Sequence, residues 1–192
     1  MDDRALRSPS LASLVVLSLA ATLATKPAMA GEPAPSPARE GLAVAASAAR
    51  AWASDAVLVY VENDDVLDAS GRSPRWGYLF HSPSRERARV WSVRDGRIAL
   101  AEDLDLRFDA PPVPAGWLDS DAALAAAEKG GGGAFRKEHG GRLETMLLMR
   151  GAVSERGADV TTWTFVYRAP GAPSLFVVVN AADGKVQRTW RA

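Results

Sequence analysis

Apolar and polar positions along the chain change period several times, and each change marks an element. Between Ala38 and Ala53, Leu42, Ala45, Ala46, Ala49 and Trp52 recur at three- and four-residue spacing, the stripe of a helix that covers something larger. Ser36 followed by Pro37 suits the cap and first position of that helix. Val57 to Val61 is a short β-branched run and reads as a buried strand. Trp76, Tyr78 and Phe80 then alternate with Gly77 and Leu79, a period of two that puts the three rings on one face of a strand. Ala88 to Val93 returns as another strand. Asp95-Gly96 makes a hairpin turn, because both positions tolerate positive φ, and Arg97 to Leu100 continue beyond it.

The pattern then recurs. Asp119-Ser120-Asp121 cap a helix running from Ala122 to Lys129, with acids at its positive end. Gly130 to Gly133 interrupt it, residues 134–139 resume it, and Gly140-Gly141 stop it. Leu143 to Met149, Trp163 to Tyr167 and Leu175 to Asn180 are strands, and Asp183-Gly184 precede a last one that starts with Lys185-Val186. Trp76 and Trp163 stand 87 apart, the two Asp-Gly turns 88, and the strands opening at Val57 and Leu143 86. Three near-equal offsets in one order point to an internal duplication. The expected fold class is therefore α+β, with two modules, 38–100 and 119–192, each a helix packed on a three- to four-stranded antiparallel meander. Residues 101–118 form the linker. Within it Leu104, Leu106 and Phe108 alternate with charged residues as an edge strand would, and Pro111-Pro112-Val113-Pro114 makes a stiff connector.

Composition adds an address. Arg4 and Arg7 precede an uncharged run from Leu11 to Ala24, and Ala28-Met29-Ala30 follows as a small-x-small site, so residues 1–30 read as a secretory signal peptide. The run is too short to be read as a spanning helix, which needs about 20 apolar residues. The mature chain then starts at Gly31 with a Pro-rich leader, 31–37, and is exported, periplasmic or secreted, without stable membrane insertion. It carries 20 basic and 21 acidic residues. That balance gives no electrostatic footprint for nucleic acid. The sequence has no cysteine and two histidines, which excludes disulfides, thiolate chemistry and multi-histidine metal centres. Six tryptophans, all after residue 50, supply the packing area instead.

Candidate chemistry is sparse. Gly130 to Gly133 are followed by Ala134-Phe135 rather than by the Gly-Lys-Ser/Thr of a phosphate loop, so they read as a flexible break. Glu62, Asp64, Asp65 and Asp68 lack the spacing of a calcium loop and read as a solvated turn. His81 and His139 are the available general bases, but no Gly-x-Ser-x-Gly elbow accompanies them. The aromatic ladders Trp76/Tyr78/Phe80 and Trp163/Phe165/Tyr167 read as core. No catalytic or metal-binding residue is assigned, no cofactor is implied, and the ligand-binding residues are unknown at this level.

Trp117-Leu118-Asp119-Ser120-Asp121-Ala122-Ala123-Leu124, the alternating strand 163–167, and Val179-Asn180-Ala181-Ala182-Asp183-Gly184-Lys185-Val186 resemble a PepSY domain, the module found in peptidase propeptides. The second half carries the better match, and the first half resembles a degenerate copy. The four-glycine insertion departs from the family pattern. What the resemblance implies is an exported, non-catalytic binding or regulatory protein. Its partner would be a peptidase or a peptide-like ligand, engaged in trans, because no peptidase domain accompanies the modules here. The alternatives are a small-ligand-binding envelope protein and a small serine hydrolase using Ser82 or another serine with His81.

Overall fold

The computed structural model describes residues 33–104, 111–151 and 160–192. The signal peptide expected at 1–30 and part of the expected edge strand (105–109) lie outside the described residues. Glu32–Ala192 form one compact unit. Helix α1 (Leu42–Trp52) leads into strands β1 (Val57–Asn63), β2 (Arg75–Ser82), β3 (Arg87–Arg94) and β4 (Arg97–Leu104). Helix α2 (Ser120–Ala127) passes through a wide turn, Glu128–Gly132, into α3 (Gly133–His139). Strands β5 (Arg142–Arg150), β6 (Thr161–Ala169), β7 (Ala172–Asn180) and β8 (Val186–Arg191) complete the chain.

The elements stand where the periodicity places them, but the architecture differs from the expected one. All eight strands found among the described residues belong to one antiparallel sheet, ordered β4-β3-β2-β1-β5-β6-β7-β8. The protein is mostly β, and the expectation of two modules, each a helix on its own small meander, is overturned. The joint is the β1–β5 pairing, Tyr60 with Met149, Val61 with Leu148 and Glu62 with Leu147. The physical reason lies in those two strands. Separate modules would leave β1 and β5 as bare edges that carry apolar side chains on both faces, and pairing them removes both edges at once. Residues 101–104, expected in the linker, belong to β4. The Pro-rich connector is docked rather than free, since Val113 is buried and donates its N–H to the Leu58 carbonyl at 2.8 Å.

The core lies between the helices and one face of the sheet. Both aromatic ladders point into it and all six of their side chains are buried. They also meet, because the β1–β5 joint brings Trp76 and Trp163 edge to face at 6.2 Å. Each indole N–H is satisfied by a backbone carbonyl just ahead of a helical segment, Trp76 by Ser36 at 2.8 Å and Trp163 by Leu118 at 2.7 Å. The leader is thus tied down from Ser36, whose backbone also pairs with Ser73. Helix α1 begins four residues later than the spacing suggests, after a turn over 38–41.

The two helical entries are clamped to each other. Asp119 caps α2 by accepting from the Ser120 N–H at 2.8 Å, and the same Oδ1 accepts from the Arg39 N–H at 3.0 Å. The Ser120 hydroxyl takes the Ala38 N–H at 3.1 Å. One short segment therefore satisfies backbone donors at both sites. Asp119→Ala is expected to destabilise the fold by about 2 kcal/mol, the upper end for a lost cap, because a second donor is orphaned with it. A urea midpoint unchanged from wild type would contradict this.

Candidate functional site

The sheet ends on β4 at one side and on β8 at the other, and the two edges differ chemically. Strand β8 carries Arg188 and Arg191, with Lys185 just before it. Such charges discourage another strand from pairing. In β4, Ile98 to Ala101 form an uncharged stretch between Arg97 and Glu102, and Ile98 and Leu100 are 38% and 36% exposed. The register against β3 shifts between Ser92 and Val93, leaving Ala99 as the extra residue. Among the described residues β4 has a partner strand on one side only, and apolar side chains stand beside that open edge.

The second face of the sheet turns away from the helices. One register row on it runs through Gly77, Glu62, Leu147, Thr164, Val178 and Arg188. The acidic cluster expected to be a solvated turn is instead divided. Asp68 does organise a turn, accepting from the N–H groups of Ser70 and Arg72. Asp65 pairs with Arg94. Glu62 lies within β1 and accepts from the Tyr60 hydroxyl at 2.6 Å, while Asp64 accepts from the Ser92 hydroxyl. Asp64 can lie over the sheet because β2 has no side chain beneath it: a Cβ at Gly77 would stand 2.6 Å from Asp64 Oδ1. Period alone could not reveal this, because the clue is a glycine on the neighbouring strand.

Burial raises the carboxyl pKa of Glu62, against the Tyr60 hydrogen bond, and the charge of Asp64 adds to the rise. Burial likewise raises Asp64, opposed by Ser92 and Arg75. A raised carboxyl holds its proton in the folded state at a pH where the unfolded chain has released it. Stability should therefore increase as pH falls from neutrality toward the ordinary values of 4.5 and 3.8 for these two groups. Below that range the lowered carboxyls of Asp55, Asp68 and Asp183 reverse the trend. Urea midpoints between pH 7.5 and 4.5, for wild type and Glu62→Gln/Asp64→Asn, check the sign: the variant should show a smaller rise, the remainder coming from Asp119, whose carboxyl burial also raises.

Ser82 donates its hydroxyl to Asp55 at 2.7 Å, and Asp55 also takes the Ser84 N–H at 2.7 Å, which lowers its carboxyl to about 2. His81 precedes Ser82 on β2, so their side chains leave opposite faces of the strand. His139 ends α3 with its ring 5.0 Å from Phe135. The four glycines are not a flexible break but a packed turn. Gly130 approaches Val186 and Val177, and Gly132 lies against the Tyr167 ring. Among the described residues no group of three or more His, Cys, Asp or Glu side chains could hold a metal. A cleft of about 240 Å³ lies between residues 114–117 and the ends of β6 and β7, with Trp117, Thr161 and Asn180 in its wall.

No protein-family model matches the chain, that of the PepSY domain included, and no curated protein matches it. Among solved structures the chain is similar to the crystal structure of a "putative lipoprotein" from Clostridium difficile 630. The identity is 11%, the match covers 77% of this chain and 90% of that one, and the TM-score is 0.49, a level that carries no argument about fold or activity. None of these comparisons supports the internal duplication. No helix among the described residues is long and apolar enough to cross a membrane.

Proposed function

We propose that the protein is exported and acts as a non-catalytic binding or regulatory protein, taking a peptide-like partner as an added strand on β4. The observation that carries this reading is the chemistry of that edge: among the described residues Ile98 to Ala101 expose apolar side chains, without an intervening charge, on a strand paired on one side only, whereas β8 carries arginines. In strand addition, main-chain hydrogen bonds supply affinity and alternate side chains supply choice. The motif resemblance at 117–124, 163–167 and 179–186 supports an envelope peptidase as the partner, regulated in trans. Export rests on the apolar run and cleavage pattern before Gly31.

The test is inhibition of peptidase activity in an extracytoplasmic extract by the purified chain. The wild type should inhibit, and Ile98→Lys/Leu100→Lys should require at least tenfold more protein, because two charges must then be seated beside the incoming strand. Replacing both His81 and His139 by Ala should leave inhibition unchanged. Equal potency of the lysine variant, or absence of inhibition by the wild type, would overturn the reading.

A further inference from the structure

Strand β4 is exposed from Arg97 to Asp103, and its charges are sorted by end. Arg97 opens the strand, Glu102 and Asp103 stand near its close, and nothing charged lies between. Among the described residues neither Arg97 nor Glu102 forms an ion pair. Arg97 instead faces Arg94 across the β3–β4 ladder, a like charge already committed to Asp65. Asp103 touches Arg89 at 3.4 Å, yet its side chain is 47% exposed. Opposite charges directly across two strands stabilise a pairing and like charges oppose it. The strand that complements β4 is therefore antiparallel to it, acidic where β4 is basic and basic where β4 is acidic. A second copy of β4 meets that description. A two-fold axis at Leu100 brings the Arg97 end of each copy against the Glu102–Asp103 end of the other. The same operation sets the two Leu100 side chains, each 36% exposed, together at the centre. Parallel pairing in register would instead place like charges side by side at both ends.

We infer that β4 pairs antiparallel with β4 of a second copy, and that this dimer withholds the edge from any other strand. The pairing rests on the charges of β4 itself; its regulatory sense rests on the peptide-strand reading above. A contact along one strand edge falls below about 1,200 Å², the range of weak and reversible complexes. The extra residue at Ala99 interrupts the ladder and keeps the contact weak. Concentrated protein is thus closed to partners, and dilute protein is open.

The test is sedimentation velocity of the chain from Gly31 onward, since Glu32–Ala192 form a compact unit, purified without unfolding and studied up to millimolar concentration. Wild type should pass reversibly from monomer to dimer. Arg97→Glu, and separately Glu102→Arg/Asp103→Arg, should each weaken the dimer at least tenfold, because each sets like charges together at both ends. An equimolar mixture of the two variants should restore it to within a few-fold of wild type, which a folding defect in either could not produce. Inhibition of the extract peptidase per chain should fall as wild type is concentrated into dimer, and should stay constant for Arg97→Glu. A chain that remains monomeric, a dimer that survives both charge reversals, or a mixture that remains monomeric would overturn the pairing. Constant inhibition per chain across the wild-type transition would overturn the masking. A dimer that follows the charges while no concentration inhibits would support the pairing and overturn the peptide-strand reading instead.

Discussion

Trp163→Ala should cost about 3–5 kcal/mol, the range for truncating a fully buried aromatic. Trp163 is completely buried and lies against three rings, Trp76 at 6.2 Å, Trp117 at 5.7 Å and Phe165 at 6.4 Å. Its loss opens a cavity where the two ladders meet and also orphans the Leu118 carbonyl, which accepts the indole N–H at 2.7 Å. A domain of this size is stable by roughly 5–15 kcal/mol, so the change removes a large share of the total. Differential scanning calorimetry should show Tm lowered by about 10–15 °C. Trp163→Phe keeps most of the packing and loses the hydrogen bond, so a smaller drop separates the two contributions. Equal losses in the two variants would mean that packing at the junction is not what holds it.

Gly132→Ala should be almost as damaging, although on an isolated helix it would gain about 1 kcal/mol. The backbone at Gly132 is helical, so the residue is not needed for its dihedral angles. It is needed for its missing side chain, because a Cβ there would overlap the hydroxyl and ring of Tyr167. Tyr167 cannot simply move. It is fully buried, its hydroxyl donates to Glu128 at 2.7 Å, and Glu128 also pairs with Arg136 at 3.2 Å. Overpacking of about 3 kcal/mol, together with a weakened hydrogen bond of about 1 kcal/mol, outweighs the helical gain. A net loss near ~3 kcal/mol is expected from urea unfolding of the purified variant. Ala134→Gly, at a less buried position in the next turn, should cost only about 1 kcal/mol. If both substitutions cost the same, the close approach to Tyr167 is not the cause.

The elements were legible in the sequence, and their assembly was not. Period-two aromatics and Asp-Gly turns report on a strand and its immediate neighbour, so β2, β3, β6 and β7 lie where Trp76/Tyr78/Phe80, Ala88 to Val93, Trp163/Phe165/Tyr167 and Leu175 to Asn180 place them. The β1–β5 pairing joins residues more than eighty positions apart, and no local signal specifies it. The same limit explains the glycines. Gly132 reads as part of a break, and Gly77 as an ordinary alternating position of a strand, until Tyr167 and Asp64 are seen lying against them. Glu62 and Asp64 likewise read as solvated because their neighbours in sequence are polar, while in the fold burial takes both from water and leaves the hydroxyls of Tyr60 and Ser92 as their hydrogen-bond donors. The buried, unpartnered threonines of β6 gave no sequence signal, since alternation with Trp163 and Phe165 makes them look like the wet side of a strand.

The strand order carries one consequence for how the chain is assembled. Apart from β1 with β5, every pairing in the sheet joins strands adjacent in sequence. Hairpin closures of that kind are fast, whereas bringing β5 to β1 closes a long loop and should form late in folding. During the interval both seam strands are unprotected, and β5 of one molecule is as good a partner for β1 as its own. Exchange of halves between copies is then expected on refolding at high concentration, as a dimer with each native pairing retained, and size-exclusion chromatography of protein refolded at low and high concentration checks it.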